Sequence, residues 1–238
     1  MMKKLVITAI LITLAACNST EQTQPPAEDP GPAPLRACVM QDLTGSIVET
    51  RTPRITEGDL RALIDLIKDR GGELGLGIIQ ERSDRGLVRF AVDERPAAPP
   101  PEPHNPLYRP RWERERQQAE AERNRWEAGL NTKVEAFLKE AHARLQARLA
   151  GATDVCGAIR RCDLMLAEPS KPETISFLVL ISDGQHNVRR SACPESLTEN
   201  ARLLLVNGSD VQGIVEKYQP TRFESIAAAI KYIKEELK

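Results

Sequence analysis

Three clusters of oxygen-bearing side chains in this chain have the types and spacing to do chemistry. Asp42-Leu43-Thr44-Gly45-Ser46 alternates a carboxylate with two hydroxyls, Thr153 lies in Gly151-Ala152-Thr153-Asp154, and Asp183 lies in Ser182-Asp183-Gly184. All are hard donors of the kind that Mg²⁺ or Ca²⁺ takes, and side chains alternating along a turn can converge on one ion. A site with so few charges keeps some of the ion's waters, which leaves room for an acidic group from a partner. Taken singly, Asp-x-Thr-x-Ser is a capped turn and Ser-Asp-Gly an ordinary strand ending. They become a site only if one fold gathers them. His142 and His186 have no paired acid or nucleophile in view and are given no catalytic role.

The elements that must do this gathering alternate between strand and helix. Leu35 to Leu43 reads as a buried strand running into the first polar cluster. Thr56-Glu57-Gly58-Asp59 is a capping box for a helix carrying Leu60, Leu63, Ile64 and Ile67, which Gly71-Gly72 closes. Two strands follow, Leu74 to Ile79 and Leu87 to Val92, separated by the turn-like Arg82 to Gly86. Residues 96–150 form an insertion, proline-rich from Pro96 to Pro110 and then helical, with a stripe at Leu130, Val134, Phe137, Leu138, Ala141, Leu145 and Leu149. It reads as one long helix, or a pair broken near Gly129, whose second half packs on the domain while the first half projects. The weak repeat Trp112, Ala119, Trp126 fits a partner-binding coiled coil or, more blandly, a solvated amphipathic face. Ala152-Thr153-Asp154 opens a further helix from Val155 to about Ala167, stopped by Pro169 and Pro172. Ile175 to Ile181 is nearly all apolar, the pattern of a strand buried on both faces of a parallel sheet. Leu203 to Val206 makes another strand, and Thr221 to Glu224 is expected to cap a final helix carrying Ile226, Ala229, Ile230 and Ile233. Such alternation predicts a doubly wound, mostly parallel α/β sheet, whose ligands bind at the carboxyl ends of the strands.

In this order the clusters resemble the metal-ion-dependent adhesion site of the von Willebrand factor A domain. The family's Asp-x-Ser-x-Ser motif is matched by Asp42, Thr44 and Ser46, with Thr in place of the first Ser, its lone second-loop threonine by Thr153, and its third-loop aspartate by Asp183. The resemblance covers roughly residues 36–95 and 150–238, leaves out the insertion, and departs at Val48 to Ile55, where Pro53 delays the first helix. It implies a Rossmann-like fold over residues 36–238, a divalent ion (Mg²⁺, or Mn²⁺ or Ca²⁺) held by Asp42, Thr44, Ser46, Thr153 and Asp183, no catalysis, and a protein partner that offers an acidic side chain. A competing class is an enzyme, since Asp42-Leu43-Thr44-Gly45-Ser46 is also similar to the phosphorylated-aspartate motif of haloacid dehalogenase phosphohydrolases. There the second aspartate expected at position 44 and a clear catalytic lysine motif are missing. A third reading is a metal-free structural lipoprotein that binds through its long helix, with Trp112 and Trp126 as contacts.

The N-terminus carries Lys3 and Lys4 before an apolar run, Leu5 to Ala16, that is shorter than the about 20 residues a spanning helix needs. Residues 1–16 are read as a signal peptide. Leu14-Ala15-Ala16-Cys17 resembles the bacterial lipobox, which implies acylation of Cys17 and attachment to a membrane of the cell envelope. By the sorting rule of the lipoproteins that this motif resembles, Asn18 in place of Asp does not favour retention in the inner membrane, which implies the outer membrane facing the periplasm. Residues 17–35, with five prolines, read as the lipidated cysteine and its disordered tether. Of the five cysteines, Cys38, Cys156, Cys162 and Cys193 remain for one or two disulfides in an oxidising compartment. Cys156 and Cys162 point about 120° apart on a helix and do not pair with each other, which leaves Cys193 as the partner of one of them. A net charge of −1 supplies no field for nucleic acid.

Overall fold

The computed structural model describes residues 32–83, 86–93, 95–189, 191–207 and 214–238. The leader, Cys17 and nearly all of the tether lie outside the described residues. One sheet is formed by β1 (Leu35–Asp42), β2 (Gly72–Ile79), β3 (Val88–Val92), β4 (Ile175–Ile181), β5 (Ala201–Val206) and β6 (Thr221–Phe223), in the order β3-β2-β1-β4-β5-β6. Every neighbouring pair is parallel except β2 with β3. The chain is thus the expected doubly wound, mostly parallel α/β sheet, and β1 begins one residue inside the stretch assigned to the tether.

The apolar runs become central strands because both faces of the sheet are covered. On β4, Phe177, Val179 and Ile181 enter one core while Leu178 and Leu180 enter the other; β1 divides Ala37 and Val39 from Cys38 and Met40 in the same way. The first face is covered by α2 (Glu57–Lys68), the second half of α3 (Arg109–Leu145) and α5 (Ile226–Glu236). The second face is covered by α4 (Val155–Leu166), through Ile159, Cys162, Met165 and Leu166. Edge strand β3 alternates buried Val88, Phe90 and Val92 with exposed Arg89 and Ala91, as a strand covered on one side must. Two disulfides tie α4 down, Cys38–Cys162 to the central strand and Cys156–Cys193 to the segment following β4. Cys156 and Cys162 do not pair with each other, as their helical spacing required.

Several local expectations need correction. The segment after the first cluster is not free of helix until residue 56: Ser46–Thr50 forms α1, which buries Ile47 and ends where Arg51 turns left-handed at φ 54°. Helix α3 runs unbroken through Gly129; a helical glycine costs about 1 kcal/mol, and the burial of Leu130, Val134, Phe137, Leu138 and Ala141 just beyond it outweighs that. Thr221–Phe223 does not cap the last helix. It pairs with β5 as β6, satisfying backbone groups at that edge, while Ser225 caps α5 by accepting from Ala228 N. The proline-rich segment has a defined course. It returns along the first half of α3, with Arg95 paired to Glu127, Pro100 O accepting from Trp112 Nε1 at 2.8 Å, and Glu102 paired to Arg109. The result is an arm whose end exposes Leu107 and Tyr108. Among the described residues no helix is long and apolar enough to cross a membrane.

Candidate metal centre

β1 and β4 lie side by side, and from that pair the strand order runs outward in opposite directions, through β2 on one flank and β5 on the other. The chain therefore leaves the carboxyl ends of these two strands toward opposite sides, opening a crevice where doubly wound sheets bind ligands. Asp42 is the last residue of β1, and the register Gln41 to Ile181 brings Ser182 and Asp183 alongside it. Thr153, just before α4, is tied to the loop that follows β4 through Asn187. The fold thus gathers all three clusters from distant stretches of chain at one edge of the sheet.

Hydrogen bonds between the loops fix this gathering. Ala150 N donates to Leu43 O and Gly45 N to Ala150 O, joining the first cluster to the end of the insertion. Asn187 grips the second cluster from both sides: its N–H donates to Thr153 O, and its Oδ1 accepts from Thr153 N at 2.7 Å. The N-cap of α4 is Asp154 rather than Thr153, since Asp154 Oδ1 accepts from Gly157 N at 2.8 Å. A side chain at 157 would place its Cβ 2.1 Å from the Asp154 carboxylate, so glycine there lets the cap close. With Asp154 occupied by the helix, the Thr153 hydroxyl is not spent on capping.

Within the site the first cluster converges as its alternation suggested. Asp42 Oδ1 accepts from Thr44 N at 3.0 Å and Thr44 Oγ1 at 2.7 Å, and Thr44 Oγ1 lies 3.2 Å from Ser46 Oγ. Asp42 Oδ2 accepts from Ser182 Oγ at 2.6 Å, and Ser182 Oγ in turn accepts from Gly184 N. Ser182 and Asn187 were not singled out from sequence as site residues. The signal for Ser182 was a hydroxyl at the end of the strand that must lie beside Asp42; Asn187 carried none without knowledge of the loop path.

Asp42 and Asp183 are both fully buried, with 0% exposure. Burial pushes the Asp42 carboxyl above its ordinary range, the Ser182 and Thr44 hydrogen bonds pull it back, and the charge of Asp183 pushes it up again. Asp183 Oδ1 accepts from Gln185 N at 3.0 Å, but its buried Oδ2 has no hydrogen-bond partner among the described residues. A buried carboxylate oxygen left this way is costly unless a cation satisfies it. No group of three or more His, Cys, Asp or Glu able to hold a metal occurs among the described residues, so the donors on offer are hydroxyls and two carboxylates. That set fits a hard divalent ion and does not suit soft thiolate-type coordination.

No protein-family model matches the chain, and no curated protein matches it in sequence. Solved structures show a distant likeness to it. The pilus adhesin SpaC from Lactobacillus rhamnosus GG, in an open conformation, is 10% identical with a TM-score of 0.44, covering 86% of this chain and 30% of its own. Manganese-loaded TRAP protein of Plasmodium vivax is 13% identical with a TM-score of 0.43, covering 85% of this chain and 72% of its own. A von Willebrand factor type A protein from Catenulispora acidiphila is 16% identical with a TM-score of 0.44, covering 87% and 42%. The chain thus spans less than half the length of the first and third. The strand order and the placing of its polar clusters at the strand ends are those of a doubly wound α/β sheet.

Proposed function

We propose that the chain is a lipid-anchored module that binds a protein partner through a divalent cation, with Mg²⁺ expected and Mn²⁺ or Ca²⁺ also suited to the donors. The observation that carries this reading is the buried Oδ2 of Asp183, which has no hydrogen-bond partner among the described residues and lies beside a second buried carboxylate. The hydroxyls of Thr44, Ser46 and Thr153 would hold the ion directly or through water, and Asp42 and Asp183 would supply charge and orient its waters. A bound ion supplies a docking point for a carboxylate from the partner. Asp42 keeps Thr44 oriented, Ser182 holds Asp42, and Asn187 fixes the Thr153 turn, so the donors are positioned before any ion arrives.

The phosphohydrolase reading meets an obstacle in the same hydrogen bonds. A nucleophilic Asp42 needs an oxygen facing a phosphoryl group, yet Oδ1 is held by Thr44 and Oδ2 by Ser182. For the helix-binding reading, both tryptophans are already engaged in part: half-buried Trp126 packs against the core, and half-buried Trp112 is bonded to Pro100 O with Arg116 over its ring.

Calorimetric titration of Mg²⁺ and Mn²⁺ tests the proposal. Binding is expected for the wild type and loss of at least about a hundredfold for Asp183→Ala and Thr153→Ala, given that even supporting residues are worth 10–100-fold. A folded wild type that takes up neither ion would overturn it. Anchoring is tested separately: Cys17→Ser should move the protein from the membrane fraction to the soluble fraction, and an unchanged distribution rejects the lipid.

A further inference from the structure

An open cavity of about 720 Å³ adjoins the crevice, lined in part by the disulfide Cys156–Cys193, by Val188 and Ile214, and by Arg189 and Lys217. Asn187 belongs to its lining and is also the residue that grips Thr153 on both sides, so cavity and metal centre share a wall. Among the described residues of the lining no side chain is acidic, while two are cationic.

The two cations are placed differently. Lys217 is held: its ammonium donates to Pro194 O and lies 4.9 Å from the ring centroid of Tyr218. Arg189 is exposed and makes no hydrogen bond or ion pair with any described residue. In the centre itself, the charges of Asp42 and Asp183 balance a divalent ion. The positive charge of Arg189 and Lys217 is then not offset by any acidic side chain in the described lining, and an anionic group entering the cavity is favoured.

We propose that the cavity is the second half of the ligand site and takes an acidic side chain from the same partner segment whose first carboxylate docks on the cation. This rests on the metal-binding reading and narrows it: the partner segment is acidic at two positions, with aliphatic carbon between them to cover the disulfide, Val188 and Ile214. A single carboxylate engages half of the site. Two together gain from being tethered, because the second contact is made at high effective concentration.

The test uses purified protein saturated with Mn²⁺ and a short oligoglutamate peptide, with its glutamine counterpart as control. Oligoglutamate is expected to bind and the glutamine peptide not to. The double variant Arg189→Ala, Lys217→Ala should weaken oligoglutamate by about fivefold with Mn²⁺ affinity unchanged, the scale of two partly exposed charge contacts. Arg189→Glu, at an exposed position where folding is not at stake, should weaken it further. Equal binding of oligoglutamate by the wild type, the double variant and Arg189→Glu, with Mn²⁺ bound in all, overturns the cavity assignment and leaves the metal centre standing. Absence of Mn²⁺ binding by the wild type fails the metal centre itself and takes this inference with it.

Discussion

The crevice at the ends of β1 and β4 and the arm built from residues 95–128 handle polar groups in opposite ways. The arm is exposed along most of its length and pairs its charges at the surface, Arg111 with Glu115 and Arg116 with Glu120 one helical turn apart, and Arg109 with Glu102 across to the proline-rich segment. Such exposed pairs contribute little to stability, so the arm tolerates change. The crevice buries two carboxylates and leaves one oxygen without a partner among the described residues, which weakens the fold unless a cation binds. Polar groups that cost stability mark the functional region, and abundant, well-paired charge marks the scaffold.

The contrast can be broken or sharpened by measurement. The crevice side is stapled and the arm is not, so the largest effects belong to the disulfides. From the span of chain each one closes, removal of Cys38–Cys162 should cost about 5 kcal/mol and of Cys156–Cys193 about 4 kcal/mol in denaturant unfolding. Within α3, Phe137→Ala should cost about 3–4 kcal/mol because Phe137 is buried against Phe90, whereas Trp112→Ala on the arm should cost about 1 kcal/mol and leave Mn²⁺ binding intact. Equal losses at the two positions would show that the arm is part of the cooperative core.

In EDTA, Asp42→Asn should raise stability at neutral pH, since it removes a charge that burial, and then the facing charge of Asp183, disfavour. The sign follows from the raised carboxyl: the folded state holds this proton more tightly, so the wild type loses stability as pH rises above the ordinary value of 3.8. The advantage of Asn should therefore fade as the medium is acidified, and a variant less stable than wild type throughout would show that the carboxylate is structural. The smallest effect is alkaline. Burial pushes the Tyr218 phenol, bonded to Pro194 O, from 10.0 up to about 12, so the stability it lends is present below pH 10 and is lost as pH rises toward 12. A thermal midpoint that is flat over that interval would argue against it.

The parts legible in the sequence were those where one strong local pattern met no competitor. The apolar run of β4, the capping box at Thr56 and Asp59, and the stripe from Leu130 to Ala141 each specify one element, and the structure keeps all three. The oxygen clusters were legible as residues because strand ends and hydroxyl-rich turns show in the chain itself. What stayed hidden depends on contacts between distant segments. β6 exists because β5 has an edge to pair; Ser182 matters because register sets it against Asp42; the proline-rich segment lies on α3 because Trp112 and Pro100 meet. None of these is encoded within a window of a few residues.

The Cys38–Cys162 bond carries a consequence for covalent topology. It closes residues 38–162 into a ring, and the whole arm with its many arginines lies inside that ring. A trypsin-like protease that cuts after exposed Arg111 or Arg125 therefore opens a loop and does not sever the molecule. The nicked protein should keep both cores and run as a single species until reductant is added, when it falls into fragments.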